Sequence, residues 1–127
     1  MANIDIKRGE KTTIEVTYTL AGESTGLDLG DSSGGAYSGS LTIRKKRGDS
    51  YKGGVLDVLT TGNSRMTFRS PTNSEPHNIT LTWTQAQCEA FPNETATIAG
   101  DLEITRNSNV EHSLRLLFDV TAEILGT

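Results

Sequence analysis

Apolar and polar residues alternate with a period of two along most of this 127-residue chain. That rhythm is the pattern of half-buried β-strands. Thr12 to Leu20 places Ile14, Val16, Tyr18 and Leu20 on one face and Thr13, Glu15, Thr17 and Thr19 on the other. Ile4 and Ile6 form a shorter strand of the same kind, and Lys7 to Glu10 a turn. Further strands are predicted over Leu41–Arg44, Val55–Leu59, Arg65–Phe68, Asn78–Trp83 and Thr95–Thr105, the last bent at Gly100. The final strand aligns Leu114, Leu116, Phe118, Val120, Ala122 and Ile124 against Arg115, Asp119, Thr121 and Glu123, with Leu117 interrupting.

Turn signals separate these runs. Ser70 to Pro76 is a Pro/Ser/Asn cluster, Asn107-Ser108-Asn109 makes a hairpin, and Lys45 to Gly54 is a polar connection. Ala21 to Ser40 differs, with six glycines among Ser and Asp, and reads as a long loop pinned at Leu27 and Leu29. A loop of that length inside a compact domain tends to carry function. One short helix is predicted from Thr84, where Gln87 completes a capping box, Trp83 and Cys88 form a hydrophobic staple, and Pro92 ends it.

Seven or eight strands with one helical turn predict an all-β antiparallel sandwich, with Trp83 in its core. Residues 1–127 show no repeat and no composition break, so one domain is expected. Hydrophobic residues make up only 34% of the chain, so the core is lean and subunit contacts can supplement it. Eleven Ser and eighteen Thr supply polar strand faces instead, with the β-branched Thr favouring extended backbone.

The chemistry-bearing residues are few. One cysteine excludes an intramolecular disulfide and a Cys-cluster zinc site, and two histidines exclude a His-rich metal site. Cys88 reads as a packing residue rather than a nucleophile, since the flanks of His77 and His112 supply no base beside it. Asp28 and Asp31 lie in the glycine-rich loop without EF-hand spacing, so a solvated loop is expected there rather than a calcium site. Gly34-Gly35 and Gly53-Gly54 lack the Lys-Ser/Thr of a phosphate loop. Asn78-Ile79-Thr80 and Asn93-Glu94-Thr95 match the glycosylation sequon, as chance allows in a chain this rich in Ser and Thr. Asp101 and Glu103 share an exposed strand face. No catalytic constellation, metal or cofactor is expected.

The net charge of −4 argues against a nucleic-acid partner. The one basic run, Arg44-Lys45-Lys46-Arg47, has no interleaved aromatic for base stacking, and is expected to cap a solvated hairpin or meet a protein. Met1 to Glu10 has no apolar h-region, and no stretch is long and apolar enough for a membrane helix. Synthesis in a cytoplasm and no membrane partner are therefore expected.

The order of segments resembles small Ig-like domains of tailed-bacteriophage structural proteins, including the N-terminal domain of upper baseplate proteins. The matching segments are Ile4-Asp5-Ile6-Lys7-Arg8-Gly9-Glu10, Leu41-Thr42-Ile43-Arg44, Ile79 to Trp83 and Thr84 to Phe91. Asp101-Leu102-Glu103-Ile104, Arg115-Leu116-Leu117 and Val120-Thr121 complete the series. Gly100 stands where the group has an aromatic, Phe118 where it has a small residue, and the first loop is long. The resemblance implies an Ig-like sandwich without catalysis, acting in the virion as an adaptor in the tail, baseplate or fibres. Its partners would be other virion proteins, in a homo-oligomer or multi-copy assembly. A capsid decoration protein is the alternative, and a host-receptor or glycan-binding module a lesser one, with Tyr37 and Tyr51 as its loop aromatics. Candidate contacts are Ile4, Ile6, Asp28, Asp31, Tyr37, Arg44, Lys45, Lys46 and Arg47.

Overall fold

The computed structural model describes residues 4–7, 10–44, 54–89, 91 and 96–121. Within them the chain is mostly β, with eight strands in two sheets and one short helix. The strands are β1 (Ile4–Lys7), β2 (Thr12–Val16), β3 (Tyr37–Arg44), β4 (Val55–Thr60), β5 (Met66–Phe68), β6 (Ile79–Trp83), β7 (Ala96–Arg106) and β8 (Asn109–Thr121). Helix α1 covers Gln85–Glu89. The larger sheet runs β1-β8-β7-β3-β4 and the smaller β2-β6-β5. Among the described strands only β1 on β8 is parallel, which makes the larger sheet mixed, and it curls into a half-barrel. Two register shifts, at Ile43/Arg44 against β4 and Ile104/Thr105 against β8, supply local bends.

The inward faces meet in one core. Ile6, Leu41, Ile43, Leu59, Leu102, Ile104, Leu116 and Phe118 come from the larger sheet, and Val16, Met66, Ile79, Leu81 and Trp83 from the smaller. Trp83 is fully enclosed, with its ring edge-on to Phe118 at 5.8 Å. Its indole N–H donates to Asp57 Oδ2 on β4 at 3.0 Å, while Arg65 grips both oxygens of the same carboxylate at 2.7 and 2.6 Å. One half-buried carboxylate thus joins the edge of the larger sheet to the middle strand of the smaller. The Asp101–Arg115 pair lies on the open outer face, where such pairs contribute little.

Helix α1 starts as its sequence predicts. Thr84 N–H donates to Gln87 Oε1 at 2.8 Å and Gln87 N–H returns to Thr84 Oγ1 at 3.2 Å, a reciprocal capping box. Cys88 is buried, with its thiol 3.5 Å from Thr12 Oγ1, consistent with a packing role. The β7–β8 hairpin turns through Asn107 and Ser108, both at positive φ, with Arg106 paired to Asn109.

Several boundaries differ from the sequence reading, two of them beside the long loop. β2 stops at Val16 rather than Leu20, and β3 begins at Tyr37 rather than Leu41. The alternation of Thr17 to Leu20 outlasts its partner strand, because β6 begins at Ile79 and pairs it with Val16. Tyr37 to Ser40 lack strand-like composition but pair with Arg106 to Glu103 of β7, so tertiary pairing overrides propensity. The connection between β2 and β3 therefore spans 17–36. Residues 45–53 of the predicted Lys45–Gly54 connection, Pro92 and the strand residues after Thr121 lie outside the described residues, as do Tyr51 and Asn93.

Candidate functional site

The longest connection, 17–36, is built onto one end of the molecule at three places. Its root is held by Asn78, which is fully buried at the start of β6. Tyr18 N–H donates to Asn78 Oδ1 at 2.9 Å, and Asn78 Nδ2 donates to Tyr18 O at 2.9 Å and Leu27 O at 2.8 Å. The Asn78 backbone N–H donates to Val16 O, and its carbonyl accepts from Arg69. Where the β2 ladder ends, this side chain replaces it, satisfying backbone groups that burial would otherwise leave unpaired. Leu27 and Leu29 then pin the loop against the core, as the sequence predicts, with Leu29 buried.

The second attachment is to the β5–β6 connection. Asp28 Oδ1 accepts from its own loop at Gly30 N–H and from the Ser70 hydroxyl across the gap. Gly30 lies so close that a Cβ there would sit 2.5 Å from Ser70 Oγ and 2.7 Å from its backbone nitrogen. The third attachment is to the β7–β8 hairpin. Asn107 Nδ2 donates to Gly34 O at 2.9 Å, and a Cβ on Gly35, at φ 104°, would collide with the Asn107 amide. Beside it the Arg106 guanidinium stacks on the Tyr37 ring at 3.8 Å.

Asp31 caps the turn between these attachments. Its Oδ1 accepts from Ser33 N–H at 2.9 Å. That bond chiefly, then the Ser33 hydroxyl, with a smaller contribution from Arg106, holds its carboxyl below the usual carboxylate range. The loop, Tyr37, Thr61 and β5 enclose a shallow depression of about 340 Å³, floored by Leu29, Met66 and Phe68 and rimmed by Asp31, Ser32 and Thr67.

Behind the Ser70 attachment lies a second polar cluster. His77 Nδ1 is 3.2 Å from Glu15 Oε2 on β2, and its Nε2 is 3.1 Å from Arg69 Nη1. Arg69 also pairs with Glu75 Oε2 at 2.6 Å. The Arg69 hydrogen bond, then its charge, lowers the Glu75 pKa. The other histidine, His112 on β8, stands edge-on to Tyr18 at 5.6 Å.

Of the candidate contacts, Asp28, Asp31 and Tyr37 converge at this loop end. Tyr37 is half-buried beneath Arg106 rather than free in a loop. Ile6 is enclosed in the core and Ile4 is half-buried beside it on β1. Arg44 is half-buried at the end of β3, and Lys45, Lys46 and Arg47 lie outside the described residues. Sequence reasoning missed Asn78, Ser70, Arg106 and Asn107 as loop anchors, because their partners are remote in the chain. Among the described residues no group of three or more His, Cys, Asp or Glu is arranged to hold a metal ion. No protein-family model and no curated protein matches the chain.

Proposed function

We propose that this chain is a non-enzymatic structural component of a tailed-bacteriophage virion, assembled through protein contacts in the tail, baseplate or fibres. The observation that carries the assembly reading is the 17–36 connection. It is fastened at Asn78, Ser70 and Asn107 and presents the exposed Asp28, Asp31, Ser32 and Ser33 from a sheet end. A long loop held in one shape by a β scaffold offers a recognition surface at low ordering cost. The assignment to a virion rests on the sequence resemblance.

Strand order supports an Ig-like reading of the fold. In Ig-like sandwiches of the variable type, one sheet contains G-F-C followed by C′ and the other contains B-E-D. The orders β8-β7-β3-β4 and β2-β6-β5 correspond to these. The single cysteine means that no B–F disulfide joins the sheets, and Trp83 with Asp57 takes over the link between them.

Immunogold microscopy of purified virions tests the function. Label at the tail or baseplate is expected. Label confined to the head would replace this reading with capsid decoration, and particles without label would exclude a virion component.

A further inference from the structure

Both histidines of the chain flank the root of the 17–36 loop. His77 stands between two of the loop's anchors. The next residue, Asn78, clamps Tyr18 and Leu27. Its hydrogen-bond partner Arg69 precedes Ser70, which holds Asp28.

The contacts of His77 require one protonation state. Arginine has donors only, so Nε2 of His77 must accept from Arg69; Nδ1 then carries the proton and donates to Glu15. Among the described residues, the charged groups facing the ring are Glu15 from β2, with Arg69 and Glu75 from the β5–β6 connection. A charged imidazole has two donors, so its Nε2–H would point at the guanidinium. The hydrogen bond to Arg69 would be lost and two positive charges would face each other, while the Glu15 contact strengthened. Arg69 would keep its existing pair with Glu75, whose lowered pKa holds it ionised in mild acid, and so would be drawn away from the ring.

We infer that the loop end is pH-sensitive: protonation of His77 detaches Arg69 and thereby loosens the loop at its Ser70 and Asn78 anchors. The sensitive element is a chain of direct contacts, His77–Arg69, Arg69 N–H to Asn78 O, and Ser70 to Asp28. Imidazole is the side chain whose charge changes under mild acid while carboxylates stay ionised. This concerns the same loop end as the proposed assembly role, and its test needs no partner. Failure of one therefore leaves the other standing.

The test is amide hydrogen exchange of the isolated chain by NMR, at about pH 7.5 and pH 5.5, corrected for intrinsic rates. The probes are Tyr18, Leu27 and Gly30, with Leu102 in the core as reference. At the lower pH, opening at the loop probes is expected to rise roughly two- to tenfold, the effect of losing one net hydrogen bond. His77→Gln should abolish that rise, whereas His112→Gln should retain it. Should His77→Gln fail to fold, Arg69→Gln removes the opposing cation while leaving the imidazole to titrate, and it too should abolish the rise. No rise in the parent chain, or a rise that survives in His77→Gln or Arg69→Gln, overturns the inference.

Discussion

Asn78 does with one side chain what a further strand pairing would otherwise do. All three of its side-chain bonds end on backbone groups of Tyr18 and Leu27. Asn78→Ala leaves those groups unsatisfied in a buried setting, and urea denaturation should show a loss of about 3 kcal/mol. Both amide hydrogens are committed and the residue is 0% exposed, so the Asn78-Ile79-Thr80 sequon has no room for a glycan in the folded chain. Asp57 carries a comparable burden, because its removal orphans the buried Trp83 indole N–H and takes the ion pair from Arg65, which keeps only its Nη1 bond to Val58 O. Asp57→Ala should also cost about 3 kcal/mol by the same measurement. The Glu75 carboxylate makes stability depend on pH. Its pKa is lowered on folding, so its contribution is present at neutral pH and disappears as pH falls through the folded value. In ¹³C-detected titration, Arg69→Gln should move the Glu75 midpoint upward, toward the ordinary carboxylate range.

Elements were legible in the sequence where their determinants are local. The capping box of α1 needs only Thr84 and Gln87, three residues apart, and it forms as expected. Thr84→Ala should therefore cost about 1 kcal/mol in the same denaturation assay. The alternation of Ile79, Leu81 and Trp83 likewise announces a strand with one buried face. Elements were misread where a distant partner decides. Thr17 to Leu20 alternate as a strand should, yet the ladder stops at Val16 because β6 has no residue left to pair. Tyr37-Ser38-Gly39-Ser40 look like loop, yet β7 pairs with all four. The 17–36 connection has determinants of the same distant kind. Gly30→Ala pushes a methyl into Ser70, and overpacking of this sort should cost about 1–3 kcal/mol. Shift changes in ¹⁵N–¹H spectra should centre on Asp28 and Ser70.

At the scale of the whole molecule, period-two patterning and one buried Trp were enough to foresee a two-sheet β domain. They did not reveal how the glycine-rich loop, singled out by its length, would be fastened. The bonds that fasten the loop join residues 42, 60 and 73 positions apart, a separation that no local pattern encodes. The composition did carry a trace, since the glycines that looked like slack at 30 and 35 stand where the loop is pressed against its neighbours. A recognition role requires that loop to hold one shape. Backbone ¹⁵N relaxation across residues 18–36 measures this most directly. Order parameters near 0.85, matching the strands, are the predicted result; values below about 0.6 along the loop would contradict it.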